Sequence, residues 1–298
     1  MNAIPTLSFF EKLYLPGSVP CTLEEIIILI RTRRWEAVIT AYRASLVAGD
    51  KEGARKQKGQ LPGFTPSGVF RGGHRASQLE RYSGIVGLDF DHVSNPKGLA
   101  ALFRQQACTL AFFVSPSGEG LKVFVRVDTT REAHAAAFAA VAACYEQLAG
   151  IFCDRACKDI SRCCYVSNDP EAYYDPKAEV FTTASVLPAQ LFVHDWLRAH
   201  PAVEGNRNQT VYRLGCEANR RGFGCDETAV FCIPLMHAPD FADEEIHQAL
   251  SSAYQGNKVE YATRPKGQKD KMANLATDTI SGEELRERTP LLPLEILS

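Results

Sequence analysis

Two rhythms of apolar and polar positions run through this chain, and they divide it. Ser83 to Asp91 reads as a buried strand: the apolar residues Ile85, Val86 and Leu88 follow a Ser-Gly break and run into Asp89-Phe90-Asp91. Thr109–Val114 and Leu121–Val127 are two further β-rich runs. Ser115-Pro116-Ser117-Gly118-Glu119-Gly120 separates them, which predicts a hairpin with a longer turn. Helical spacing appears first at Ile26–Ile30, opened by the capping box Thr22-Leu23-Glu24-Glu25 and extending past Trp35 toward Tyr42. A second box, Thr129-Thr130-Arg131-Glu132, opens an alanine-rich helix ending near Gly150. Two short strands are expected to flank Asp154 and cover Cys163–Ser167. Lys56 to Gly73 is broken by prolines and glycines and is expected to form no regular element.

Beyond about Leu187 the period becomes helical. Helices are predicted over Asn206–Asn219, Asp226–Met236 and Asp243–Tyr254, followed by a polar stretch from Val259 that reads as a tail or linker. The element order suits a layered α+β domain followed by a small helical domain. The expected divisions are an N-terminal helical part over residues 1–60, a core over 61–187, a helical domain over 188–258 and a tail over 259–298.

Bulk composition changes this picture little. At 298 residues, 45% hydrophobic and 23% charged, the chain has ordinary globular composition. No apolar run approaches the ~20 residues of a membrane span, so no membrane partner is expected. The start Met-Asn-Ala-Ile-Pro lacks the pattern of a secretory signal, so a cytoplasmic protein with reduced thiols is expected. Net charge is −2, yet the stretch from Arg31 to Arg75 holds ten Lys/Arg against three Asp/Glu. That segregation fits either one anionic partner surface or a solvated helix face and loop.

Candidate chemistry gathers at three places. Alternation puts Asp89 and Asp91 on one strand face, about 6–7 Å apart, with Leu88 and Phe90 toward the core. Two carboxylates so close call for a cation or a shared proton, although an isolated Asp-x-Asp is more often a pair of solvated acids. The hairpin offers the hydroxyls of Ser115 and Ser117, the glycines Gly118 and Gly120 suited to an anion-binding nest, and Lys122 on the return strand as a phosphate ligand. Lys122, Phe124 and Arg126 share a face. Asp154 or Asp159 could supply a third carboxylate, with Arg162 aligning it or holding a phosphate. His74, between Arg71 and Arg75, reads either as a template contact or as a solvated loop histidine. Cys153, Cys157, Cys163 and Cys164 lack CxxC spacing, so buried thiols are expected rather than a structural zinc.

In this order and context the motifs resemble the archaeo-eukaryotic primase superfamily, with its hydrophobic strand ending in DxD or DxE, its Ser-x-His-type motif and its later hydrophobic-Asp. More narrowly, the chain resembles the primase-like domains of bacterial mobile-element and phage helicase–primase proteins, grouped with VirE-type N-terminal domains. The matching stretches are Leu61-Pro62 with Thr65–Gly68, Ser83–Asp91, Ser115–Lys122, and Asp154 through Arg162 into Val166–Pro170. The helical part from Glu204-Gly205-Asn206-Arg207 is similar to the primase C-terminal helical domain.

The resemblance implies a primase-polymerase-like catalytic domain with an RNA-recognition-motif-like sheet. Its expected activity is two-metal nucleotidyl transfer on a single-stranded DNA template in mobile-element or phage replication. Asp89, Asp91 and Asp154 would hold Mg²⁺ or Mn²⁺. Ser115, Ser117, Gly118, Gly120, Lys122 and Arg162 would meet the nucleoside triphosphate. Asp154 is preferred to Asp159 because an arginine follows the equivalent aspartate of related primase–polymerases at an interval like that of Arg162. Asp159, Arg126, Arg71, His74 and Arg75 are additional candidates. Many relatives carry histidine where this chain has Lys122, so metal binding is a firmer expectation than polymerisation. No GxxxxGK[ST] sequence occurs, so any helicase partner would be a separate chain. The alternative is a primase-derived module, weak or inactive in catalysis, that binds single-stranded DNA or recruits a helicase. A dehalogenase-type phosphatase is disfavoured, because its nucleophile strand comes first and no later acidic motif follows here.

Overall fold

A computed structural model describes residues 5–14 and 17–264. In chain order the strands and helices are β1 (Thr6–Phe10), β2 (Val19–Thr22), α1 (Leu23–Arg31), α2 (Glu36–Val47), α3 (Lys51–Lys58), β3 (Gly63–Thr65), β4 (Gly68–Phe70), β5 (Leu79–Tyr82) and β6 (Ile85–Phe90). Then come α4 (Pro96–Arg104), β7 (Thr109–Val114), β8 (Leu121–Arg126), α5 (His134–Ala149), β9 (Cys164–Tyr165) and β10 (Tyr173–Tyr174). Four helices complete the described chain: α6 (Pro188–Ala199), α7 (Arg207–Arg220), α8 (Cys225–Met236) and α9 (Asp243–Gly256). The chain divides into two compact units. The first is Met1–Ala142 with Cys153–Thr183, and the second is Ala143–Phe152 with the chain from Ala184.

The first unit is α+β, as the patterning predicts. One four-stranded antiparallel sheet has the order β10-β7-β8-β6, a second has β2-β1-β3-β9, and β4 and β5 form a hairpin. Through the first of these sheets the chain runs β-α-β-β-α-β. Phe64 of β3 joins the two larger sheets, with its ring centroid 6.4 Å from that of Phe113 on β7 and 5.7 Å from that of Phe124 on β8. Ile26, Ile27 and Ile30 of α1 close the same core, which also holds Leu7, Leu61, Ile85 and Leu110. Phe90 faces the other way and packs on Phe103 of α4. Alternation along β6 therefore gives one face to α4 and leaves the other to Ile85, Gly87 and Asp89.

Several local expectations are corrected. Residues 1–60 are not purely helical, since they carry β1 and β2 as well as three helices. The Thr22/Glu25 capping box forms, but α1 stops at Arg31. The Thr32 hydroxyl donates to the Leu29 carbonyl, and Arg33 turns to φ +58° before α2 begins. The Lys56–Gly73 stretch contains β3 and β4 despite its prolines and glycines. β3 is held between β1 and β9, which are distant partners that a local period does not reveal. α5 begins at His134, beyond the Thr129–Glu132 box, with its first turn entered through the Arg131 carbonyl. Asp154 opens a short 3₁₀ turn, Arg155–Lys158, rather than sitting between two strands.

The second unit is helical. Its core is built from Val193 and Leu197 of α6, Val211 and Leu214 of α7, Phe231 of α8, and Ile246 and Leu250 of α9. At Gly215 a β-carbon would lie 2.8 Å from the Ala253 methyl, so glycine is what allows α7 and α9 to approach. Buried Glu146 is met by Arg198 and, at 3.2 Å, by Nδ1 of His194. The predicted tail from Val259 is described only as far as Arg264, and its remainder lies outside the described residues. Among those residues no helix is long and apolar enough to cross a membrane.

Because Phe64 is fully buried and links both sheets, Phe64→Ala should cost about 3–5 kcal/mol of unfolding free energy in a denaturant titration. A loss under about 1 kcal/mol would show that the two sheets do not depend on this ring.

Candidate functional site

The β6–β8 ladder pairs Asp89 directly with Lys122, and Phe90 with Leu121. Side chains paired across a ladder share a face. Lys122 Nζ accordingly donates to Asp89 Oδ2, with each side chain only 13% exposed. Asp89 Oδ1 is buried and has no hydrogen-bond partner. Asp91 lies just past the end of β6. Burial, then the Asp89 charge, then Asp154 raise its carboxyl above the ordinary range, against opposition from Lys122 and His92. Burial alone would lower the Lys122 ammonium. The neighbouring Cys164, and Asp89 by charge and hydrogen bond, outweigh that and hold it above its usual value.

A cavity of about 470 Å³ opens on this face and is confined to the first unit. Asp89, Asp91 and Lys122 line it from the sheet, Ser115 and Ser117 from the β7–β8 hairpin, and Asp159 and Arg162 from the segment after the 3₁₀ turn. Tyr42, Lys58, Ser67 and His74 come from the basic N-terminal region. Lys58 lies over two rings, 5.9 Å from the Tyr42 centroid and 5.4 Å from that of Tyr165. Burial and the nearby Lys122 lower its ammonium below the ordinary range, with Asp89 and Asp91 opposing. Lys58, Lys122 and Arg162 thus share the cavity with the carboxylates of Asp89, Asp91 and Asp159, a space suited to a polyanion that arrives with its own cations.

The hairpin spends part of its backbone N–H set internally. The N–H of Ser115 donates to Gly120 O (2.8 Å), that of Gly118 to Ser115 O (2.9 Å), and that of Glu119 to Ser117 Oγ (3.3 Å). These three donors are spent inside the turn, and the hairpin also presents the Ser115 and Ser117 hydroxyls, 2.9 Å apart. Arg43 braces it by donating to Pro116 O, and Gly118 adopts φ +87° against the same guanidinium. A β-carbon at Gly120 would lie 2.6 Å from the Phe90 carbonyl, which explains glycine at that position.

Asp154 is tied to the pair through its backbone, its N–H donating to Asp89 O at 2.8 Å. Its carboxylate is already engaged: Oδ1 accepts from Ala156 N–H, and Oδ2 accepts from Arg162 Nη2 at 3.0 Å. Asp159, the additional candidate, lines the cavity, with Oδ1 accepting from the N–H and hydroxyl of Ser161. Among the described residues no group of three His, Cys, Asp or Glu side chains is placed to hold a metal. The partnerless Asp89 Oδ1 and the raised Asp91 carboxyl nevertheless fit a hard divalent cation such as Mg²⁺ or Mn²⁺, which prefers oxygen ligands. Arg126 sits at the far end of the ladder, opposite Ile85, and the exposed Arg71 and Arg75 are not among the lining residues. His74 does line the cavity, edge-on to Phe10. Cys157, Cys163 and Cys164 also line it, and burial pushes each thiol up to about 12, so all three remain protonated at neutral pH.

Sequence reasoning missed Tyr42, Lys58 and Ser67, although the basic run of residues 31–75 already pointed to this wall of the site. It also missed His134. This buried imidazole has Nδ1 2.9 Å from the Tyr82 hydroxyl and Nε2 3.5 Å from the Ser67 hydroxyl. Burial lowers its pKa from 6.5 to about 4, with Asp159 opposing.

The unfolded chain would protonate His134 first as the pH falls, so this group removes stability between about pH 6.5 and 4, by roughly 3 kcal/mol in all. Denaturant titrations at pH 7.5 and 4.5 should show wild type losing about 2–3 kcal/mol more than His134→Gln across that interval. Equal losses would mean that the folded protein takes up the proton freely.

Residues 56–174 match the BT4734-like N-terminal domain family, about two-fifths of the chain and a span that contains Asp89, Asp91, Lys122, Asp154 and Arg162. Comparison with solved structures finds the crystal structure of primase RepB′ at 12% identity, with 91% of this chain and 94% of that chain covered and a TM-score of 0.28. That score is too low to bear on the fold or function of this chain. No curated protein matches it.

Proposed function

We propose that the first unit is a primase-like nucleotidyltransferase module that binds a nucleoside triphosphate with divalent cations and adds nucleotides on a single-stranded DNA template. The observation that carries this is the pairing of two carboxylates with a ring of cations in one cavity. Asp89 and Asp91 would offer oxygens to Mg²⁺ or Mn²⁺, while Lys122, Lys58 and Arg162, which line the same cavity, would meet the triphosphate oxygens. The cations would supply activation of the attacking 3′ hydroxyl and neutralisation of the charge developing on the leaving pyrophosphate. In that step the 3′ oxygen bonds to the α-phosphorus, the bond from that phosphorus to the β-phosphate bridge breaks, and the hydroxyl proton passes to solvent.

The residues themselves divide the work. Asp89 is set by the ladder and Asp91 by the strand end. Ser115 and Ser117 hold phosphate oxygens by hydroxyl donation. Asp154 serves as a positioning residue, holding the Asp89 backbone and the Arg162 guanidinium. Basic residues from Arg31 to Arg75 would follow the template backbone. The helical second unit would serve as the partner-facing part, joined to a separate helicase chain in replication of a mobile element or phage.

One observation favours a second assignment. Lys122 occupies Asp89, and Asp154 is engaged by Arg162. That arrangement also suits a catalytically weak module that binds single-stranded DNA.

An incorporation assay on a single-stranded template decides between them, run with Mg²⁺ or Mn²⁺, with ribo- or deoxynucleotides, and with or without a primer. Asp89→Asn and Asp91→Asn should each lower incorporation at least about 100-fold, the scale of one lost preorganised contact to the transition state, while template affinity stays within about threefold. Template binding by wild type without incorporation under any of these conditions would select the binding module instead.

A further inference from the structure

The Asp89–Lys122 contact is more than one ion pair among many. It is built into the β6–β8 register, it is nearly buried, and it lies in the wall of the cavity. The contact uses one oxygen of Asp89 and leaves the other buried with no partner. A buried carboxylate needs a counter-charge, and removing one member of such a pair is strongly unfavourable unless another charge replaces it. Lys122 therefore performs for Asp89 the neutralisation that a divalent cation would perform. An ammonium and a divalent cation on one carboxylate also repel each other.

The two side chains differ in their freedom to move. Asp89 has a short stem on a paired ladder position, whereas Lys122 carries a compact charge on a flexible four-carbon stem. Ser115 and Ser117 line the same cavity as Lys122, and Lys58 is close enough to feel its charge. A triphosphate entering there would give the ammonium an anionic alternative to Asp89.

We propose that Lys122 is the resident counter-ion of Asp89, exchanged on loading: the nucleoside triphosphate draws Lys122 onto its phosphates and frees Asp89 for the divalent cation. This rests on the nucleotidyl-transfer assignment of the same site. Bare cation then binds weakly, because it competes with Lys122, and cation and nucleotide bind with positive coupling. By linkage each raises the affinity of the other by the same factor. The exchange also gives lysine a function at this position that histidine, which is largely neutral at pH 7, would perform less well.

The test measures Mn²⁺ binding to the full chain by electron paramagnetic resonance, without nucleotide and with an α,β-imido deoxynucleoside triphosphate, after subtracting Mn²⁺ held by free nucleotide. Wild type should bind Mn²⁺ at least about tenfold more tightly with the analogue present, within the usual range of coupling between sites. Lys122→Met, which keeps the stem and removes the charge, should bind bare Mn²⁺ about tenfold more tightly than wild type and show coupling reduced to within about twofold. Its affinity for the analogue at saturating Mn²⁺ should fall. Lys122→Gln serves as a second variant. If either variant unfolds without metal, refolding on addition of Mn²⁺, read by circular dichroism, supports the exchange. Failure to refold leaves the decision to the wild-type coupling.

Uncoupled Mn²⁺ binding by wild type, or equal bare-metal affinity in wild type and a folded variant, would overturn the counter-ion exchange and leave the nucleotidyl-transfer assignment standing. Absence of Mn²⁺ binding by any form, with nucleotide or without, would overturn both.

Discussion

The register of β6 against β8 is the constraint on which the site depends. It sets Asp89 opposite Lys122, and alternation then settles the neighbours. Gly87 and Phe124 face the cavity side with them, while Leu88, Phe90 and Val123 are given to the opposite face. A slip of one residue would put Asp89 into the apolar layer against α4 and turn Phe90 toward the cavity. The cost of burying an uncompensated carboxylate opposes that slip, as does the loss of the Phe64–Phe113–Phe124 cluster. Fold and site are stabilised by the same alignment.

Around that pair the cavity balances charges brought from separated parts of the chain. Lys58 comes from the end of α3 and rests on the Tyr42 and Tyr165 rings, while Arg162 is retained by Asp154. Both cations are held beside the cavity by side-chain partners of their own. The three cavity thiols stay protonated and add apolar lining rather than charge. Ser67, His134 and Tyr82 extend the wall into a neutral hydrogen-bonded row. A nearly buried ion pair with one carboxylate oxygen left over is an arrangement that a divalent cation and a phosphate can each complete.

The parts legible in the sequence were those governed by local periodicity. β6, the β7–β8 hairpin and the three C-terminal helices follow from alternation or 3.6-residue spacing, and the Thr22 capping box forms as its motif predicts. The elements misjudged were those whose stability is borrowed. β1, β2 and β3 are short and gain their hydrogen bonds from one another or from partners far along the chain. The turn at Ser115–Gly120 depends on tertiary geometry in a related way, since hydrogen bonds within it engage the N–H groups of Ser115, Gly118 and Glu119. The role expected of Asp154 from its spacing to Arg162 has a counterpart in a real contact, but that contact engages the carboxylate instead of leaving it open.

By itself the sequence determined that two aspartates end a buried strand, that a serine- and glycine-rich turn precedes a lysine, and that an α+β part gives way to helices. Each of these is a property of side-chain spacing along a single element. Only the tertiary structure decided that Lys122 sits on Asp89, that Tyr42, Lys58, Ser67 and His74 share their cavity, and that Arg126, Arg71 and Arg75 do not. Those outcomes depend on strand register and on the meeting of distant segments, where burial cost and charge pairing act between residues that no local period connects.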